Sequence, residues 1–189
     1  MTPILIAGPA VEPVSLAEAK AWLRVDIDAE DAVISTLITS ARLVLEACTR
    51  LLFVEQTWKI LYDSWPEGRQ IHIPLAPFIS LDALTTYDSA GDPVAVPPAD
   101  YRLDPAPIGA RILFKAMPPQ PGMDAAGIEL RIKAGFGAAA ADVPAPLRQA
   151  LMMLVARWFE NRGDVAMDAA TLPDGIASLV MPYRRVKLA

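Results

Sequence analysis

Residues Pro144–Gly163 read PAPLRQALMMLVARWFENRG. Proline lacks the N–H that a first helical turn leaves unused, so Pro144 and Pro146 mark a helix start. Leu147, Leu151, Leu154, Val155 and Trp158 recur at the spacing of one helical face, which makes a core-facing stripe. Arg148, Gln149, Arg157 and Glu160 mostly take the other face, and Gly163 supplies the stop. A stripe of this kind has to be covered, and the chain offers its cover near the other end.

Ser15-Leu-Ala-Glu18 is a capping box, in which hydroxyl and carboxylate satisfy each other's free backbone donors. The helix it opens is expected to reach Val25 and to bury Leu16, Ala19 and Leu23, with Trp22 beside them. Asp26, Asp28, Glu30 and Asp31 follow, a spacing that invites a calcium loop. The sixth position would be Asp31 instead of glycine and the twelfth Leu37 instead of glutamate, so that reading fails. Asp28 is expected instead to cap a second helix over 29–52, its neighbours favouring the positive end. Val33, Leu37, Ala41, Val44, Cys48 and Leu51 form that helix's stripe, and Ile34, Ile38 and Leu45 widen it. So broad a stripe predicts two partners. Leu43 lies opposite it, either as an exposed leucine or as part of a subunit contact.

After Phe53 the period changes from helical to alternating. Strands are expected at 57–62, 71–73, 80–87, 94–96, 101–103, 111–114 and 128–133. The last has the cleanest alternation, Ile128, Leu130 and Ile132 against Glu129, Arg131 and Lys133. Ser89-Ala-Gly-Asp92 reads as a hairpin turn, and most of the 18 prolines fall around these strands. The fold class is therefore α+β. A helical hairpin (14–53) and a third helix (142–163) form a three-helix bundle, with an antiparallel β module, sandwich or barrel-like, inserted at 54–137. Residues 1–13 are expected as an extended arm and 164–189 as a C-terminal segment ending in a tail.

Composition narrows the chemistry. The chain has 189 residues, a hydrophobic fraction of 53% and a mean hydropathy of +0.32. Seventeen basic against 22 acidic residues give a net charge of −5, which argues against a general nucleic-acid binder. No apolar run is expected to reach the ~18 residues of a membrane span, and the start lacks a signal-peptide pattern. Cys48 is the single cysteine and reads as a small buried hydrophobe. His72 is the single histidine, set between two isoleucines of a strand, so serine-triad, Cys–His and zinc-ligand schemes lack their parts. Gly135-Phe-Gly137 lacks the third glycine and the frame of a dinucleotide site and reads as a turn. The inventory describes a binding or structural protein with no cofactor, and not an enzyme.

An ordered set of short segments resembles one family. Glu12-Pro-Val-Ser-Leu-Ala-Glu-Ala-Lys20, Trp22-Leu-Arg-Val25, Asp31, Leu37-Ile-Thr-Ser-Ala-Arg42 and Glu46 are similar to the first two helices of head–tail connector (adaptor) proteins of tailed bacteriophages. Gln56-Thr-Trp58 and Asp100-Tyr-Arg-Leu-Asp104 resemble the family's insert, and Pro144–Ala150 with Trp158-Phe-Glu-Asn-Arg162 its third helix. Leu172-Pro-Asp-Gly175, Leu179 and Pro182-Tyr-Arg184 are similar to its C-terminal signature. Gly163 and Phe159 depart from it, where relatives carry an acidic residue and tyrosine.

The resemblance implies a ring, usually of twelve copies, in a virion or in a phage-like particle such as a gene transfer agent. Such a ring sits at the head–tail junction, under the portal protein and above a stopper or tail-terminator-side protein. DNA passes through the channel without specific binding, no membrane is involved, and the protein is made in the bacterial cytoplasm. Within this frame the tail Tyr183, Arg184, Arg185, Val186, Lys187 and Leu188 is expected to bind the portal, as an extended segment with two distinct faces. Arg162 is expected either to cap the third helix or to touch the portal. A second class remains: a carbohydrate- or peptidoglycan-binding accessory domain whose platform is Trp58, Tyr62, Trp65, Tyr87 and Tyr101.

Overall fold

The computed structural model describes residues 1–162 and 172–185. Its described residues form four helices and two antiparallel sheets, an α+β chain. They divide into two compact units, Met1–Pro9 with Glu55–Phe136 and Ala10–Val54 with Gly137–Ala189.

The second unit holds the helices α1 (Leu16–Leu23), α2 (Asp31–Thr49), α3 (Ala145–Glu160) and α4 (Asp174–Val180). α2 packs on α3, and α1 and α4 also pack on α3. The capping box forms as its residues dictate. Ser15 N–H donates to Glu18 Oε2 at 2.8 Å, and Glu18 N–H donates to the Ser15 hydroxyl at 3.2 Å. Arg148 of α3 then holds the box, donating to Glu18 Oε1 at 2.6 Å and to the Pro13 carbonyl at 2.9 Å. In α3, Leu147, Leu151, Leu154 and Val155 are buried with Ala150, while Trp158 is only half-buried. The stop comes from Asn161, whose side-chain amide donates to the Arg157 carbonyl at 2.8 Å. Gly163 lies outside the described residues.

Three expectations for the helical unit change. Asp28 does not cap α2; it sits in a 3-10 turn, Asp28–Glu30, whose cap position is Ile27. Asp28 and Asp31 instead accept from Lys20 Nζ at 3.1 and 2.6 Å, because a lysine at the end of α1 lies within reach. The buried face of α2 is Ile34, Ile38, Ala41 and Leu45 with Arg42, Glu46 and Thr49, whereas Val33 and Val44 are 41% and 37% exposed. The expected stripe thus contains the buried Ile34, Ile38, Ala41 and Leu45, but its other members Val33 and Val44 lie off that face, because two adjacent faces of this helix are apolar and hydropathy counts Arg42 and Glu46 as solvent-facing. Finally, Asp28–Thr49 is long and apolar enough, by length and composition, to cross a membrane, which the sequence reading did not anticipate. Its serines and threonines weaken the run to the eye but carry no charge, and its Ile34–Leu45 face is core in this unit.

The first unit holds strands β1 (Thr2–Ala7), β2 (Gln56–Tyr62), β3 (Gln70–His72), β4 (Phe78–Tyr87), β5 (Pro93–Ala95), β6 (Tyr101–Asp104), β7 (Arg111–Phe114) and β8 (Ile128–Ala134). One sheet has the order β1-β2-β8-β4-β5 and the other β3-β7-β6. β8 is central, with Leu130 opposite Ile60 on one side and Leu84 on the other. Ile128, Leu130, Ile132 and Ala134 are buried, and their alternation partners face outward. Buried residues of both sheets, Ile60, Leu84 and Leu130 with Ile71, Ile112 and Phe114, belong to one core cluster.

No closed barrel forms among the described residues, since the larger sheet ends in free edges at β1 and β5. The N-terminal residues, expected as an extended arm, include an edge strand. β1 pairs antiparallel with β2 from Thr2 opposite Leu61 to Ala7 opposite Thr57. All six of its residues are exposed, so there was no buried alternation to read, and Pro3 is tolerated because the strand is an edge. The β4–β5 turn is organised by Asp88, whose carboxylate accepts from the Ala90 and Asp92 N–H groups at 2.8 and 2.9 Å. Gly91 takes a φ of +85° there, where an L side chain is strained.

Candidate interaction surfaces

Among the described residues no group of three or more His, Cys, Asp or Glu side chains could hold a metal ion. His72 is exposed at the end of β3, in register with Arg111.

The aromatic platform is not formed. Trp65 is 6% exposed in the β core and meets Phe114 edge-on at 5.0 Å, and Tyr101 meets the same ring at 6.3 Å. Trp58 and Tyr62 pack against that core as well. Burial pushes the Tyr62 and Tyr101 hydroxyls above their ordinary pKa. Tyr87 donates to Glu129 at 3.0 Å, and burial followed by that bond raises its pKa too. A sugar-stacking surface needs accessible ring faces, and Trp58, Tyr62, Trp65 and Tyr101 lie in or against the core instead.

The C-terminal element has a different shape from the one its alternation suggested. α4 is followed by a 3-10 turn, Met181–Tyr183, and Arg184 N–H bonds the Met181 carbonyl. Arg185 N–H then donates to the carbonyl of Thr49, the last residue of α2, at 3.0 Å. Tyr183 therefore does not share an extended face with Arg185, because the turn rotates it away. Arg184 is exposed and extended in backbone, Arg185 is half-buried, and Val186, Lys187 and Leu188 lie outside the described residues. A small cavity of about 230 Å³ lies here, walled by Cys48, Leu172, Ala177, Val180, Met181 and Arg184. Cys48 is half-buried on its rim and not fully enclosed as expected.

Arg162 is no cap. Its Nη2 pairs with Glu30 Oε2 at 2.8 Å and its guanidinium lies 4.7 Å from the centre of the Phe159 ring. The capping task had already gone to Asn161, which is shorter and nearer the free carbonyl.

A buried ionic network joins residues on which the family resemblance rests. Arg42 Nε bonds Glu12 Oε2 at 2.8 Å and its Nη1 bonds Glu46 Oε2 at 3.0 Å. Glu46 Oε1 also accepts from the Phe53 N–H at 2.8 Å, and Thr39 donates to Glu12 at 2.9 Å. Burial alone would lower the Arg42 pKa, but the bonds and charges of Glu12 and Glu46 outweigh it and raise the value. This network fixes α2 to the segment before α1 and to the chain after α2, a structural task.

The β unit carries one cleft that the sequence reading missed. It measures about 630 Å³ and lies between the end of β4, strand β5 and residues 115–122. The proline-rich wall is held at three points: Lys115 N–H to Asp100 O at 3.0 Å, Trp65 Nε1 to Pro119 O at 2.8 Å, and Gly122 N–H to Tyr87 O at 2.8 Å. The available signal was Met117-Pro-Pro-Gln-Pro121, an uncharged run too poor in backbone donors to be a strand.

No protein-family model matches the chain, and no curated protein matches it either. Solved structures do. A chain of "Virion of native gene transfer agent (GTA) particle" is 28% identical with a TM-score of 0.84, over 100% of this chain and 98% of that one. A chain of "Neck of empty GTA particle computed with C6 symmetry" is also 28% identical, with a TM-score of 0.82 over the same shares. "Neck of native GTA particle computed with C12 symmetry" gives 28% identity and a TM-score of 0.76, over 98% of this chain and 97% of that chain. This chain is thus similar, end to end, to structural components of gene transfer agent particles.

Proposed function

We propose that this protein is a head–tail connector (adaptor) subunit of a phage-like particle of the gene transfer agent type. Copies of it form a ring at the neck, beneath the portal and above a stopper or tail-terminator-side protein, around the channel through which DNA passes. The carrying observation is the extent of the similarity: helical unit, β unit and C-terminal element all align with neck-particle chains at 28% identity, with almost nothing left over on either side. The C12 and C6 symmetries of those necks support a ring of twelve. A non-enzymatic role agrees with the similar chains being components of particle necks and virions. The net charge of −5 suits a channel that DNA must slide through, since Lys and Arg contacts to phosphate supply most non-specific affinity.

The portal contact is assigned to the C-terminal residues Tyr183–Leu188. Arg184 is exposed, Arg185 N–H is bonded to the Thr49 carbonyl, and Val186, Lys187 and Leu188 continue the sequence with one basic and two apolar side chains. Repetition around the ring makes modest single contacts strong. The test is reconstitution with the portal of the same particle, followed by electron microscopy of the product. A ring of this protein on the portal's tail-facing end is expected. A protein that neither binds the portal nor enters the neck would overturn the assignment.

A further inference from the structure

Strand β1 adds nothing to the core of its own chain. Its six residues are all exposed, with Ile4, Leu5 and Ile6 at 39%, 48% and 49%. Ile4 and Leu5, as successive strand residues, point to opposite faces, and Ile6 follows in a β-bulge between Leu5 and Ala7, so a flat contact on one face cannot cover all three. They need a partner that receives the strand. β1 also carries no charged side chain of the kind that usually keeps an edge from pairing.

The other free edge of the same sheet offers such a receiver. β5 is exposed throughout, and Pro93-Val-Ala-Val-Pro-Pro98 is as uncharged as β1. Beside it opens the cleft of about 630 Å³, with Val94 (51% exposed) and Met117 (37%) on its walls. Pockets of about 300–1,000 Å³ hold ligands of several side chains' size. Because every neighbouring pair in β1-β2-β8-β4-β5 is antiparallel, β1 and β5 run in the same direction. A copy rotated about an axis along the strands therefore brings its β1 alongside β5 in parallel. Neither strand carries a charge of its own, and the charged groups of the cleft wall are Asp88, Asp100 and Lys115.

We propose that β1 of one copy docks along β5 and into the adjacent cleft of the next copy, as the head-to-tail contact between subunits of the ring. The two patches differ and lie at opposite ends of one sheet, which is what a heterologous contact requires, and repetition of one rotation closes it. The added strand follows the β-augmentation mode. This inference rests on the ring reading above and on the cyclic symmetry of the similar necks.

Cysteine cross-linking tests it in a Cys48→Ala background. Leu5→Cys and Val94→Cys lie on strands four spacings apart, roughly 19 Å, so they cannot join within one chain. Oxidation, or a short bismaleimide, should convert the double variant into a ladder of dimers, trimers and higher species, strongly on the portal and weakly in concentrated free protein. Each single variant should give none of this ladder. A Leu43→Cys/Val94→Cys pair, using an exposed leucine of the helical unit, should not form it either. Ile4→Lys with Ile6→Lys should abolish ring closure without lowering the melting temperature, since both sites are exposed. The proposal is overturned if the double variant gives no ladder on the portal, if Val94→Cys alone gives the same dimers, or if β1 cross-links to the portal instead. Portal binding without the ladder would defeat this contact alone, whereas a ladder without portal binding would defeat the connector assignment and leave the contact standing.

Discussion

Arg42 is 5% exposed and lies between two carboxylates, one of them, Glu46, only 8% exposed. Replacing it with an apolar side chain takes from Glu12 and Glu46 the buried guanidinium that both of them bond. Arg42→Met should therefore cost about 3–5 kcal/mol in a denaturant titration; a loss below about 1 kcal/mol would mean that water already neutralises the pair. Glu18 gives a pH signature of its own. The Ser15 N–H and then the Ser15 hydroxyl hold its carboxyl below the ordinary 4.5 against the opposing effect of burial, and Arg148 lowers it further. A carboxylate depressed in the folded state stabilises fully above its unfolded pKa, and that stabilisation disappears as pH falls through the folded value. Melting temperature followed from about pH 6 to about pH 3 should fall less steeply for Glu18→Gln than for wild type. Identical slopes would remove Glu18 from the acid response.

At the scale of elements, the phase of α2 decides which substitutions matter. Ile38→Ala, on the buried face, should cost about 2–5 kcal/mol. Val33→Ala and Val44→Ala should each stay within about 1 kcal/mol, because those valines are exposed in the single chain. Equal losses at all three, read by chemical denaturation, would restore the face inferred from hydropathy. The C-terminal element divides at Arg185. Removing 186–189 should leave the melting temperature unchanged and weaken portal binding severely. Removing 183–189 should lower the melting temperature as well, since it takes away the Tyr183 turn and the Arg185–Thr49 bond. If both truncations melt alike, the bond to α2 contributes nothing.

For the molecule as a whole, the described cores of both units close within one chain, Leu45, Leu151 and Leu154 in one and Ile60, Leu84 and Leu130 in the other. Among the described residues, what stays uncovered is the β1 edge strand, the cleft beside β5 and separate apolar side chains such as Trp22, Ile27 and Leu43, enough for a contact but not for an obligate core. The purified chain should therefore scatter light as a monomer or a weakly associating species at low micromolar concentration. The ring should form on the portal, where neighbours are held at high effective concentration. A stable closed ring without portal would show that the subunit contact is stronger than β1 and its cleft allow.

Much of this protein was written locally. The capping box at Ser15–Glu18, the proline start of α3 and the seven strands from β2 to β8 were legible because each depends on a few consecutive residues and a period of 2 or 3.6. The candidate site was legible only in part: Arg184 and Arg185 stood out as charge in an acidic chain, while the β5 cleft had no pattern of its own. Tertiary structure alone decided the rest. β1 became a strand because β2 was there to pair with it, and Arg162 pairs with Glu30 because the fold brings that distant carboxylate within reach. Arg42 and Glu46 turned inward because each could find an opposite charge there, and that turned the face of α2 with them. Burial of a charge depends on a partner distant in sequence, and no periodicity along the chain records who that partner is.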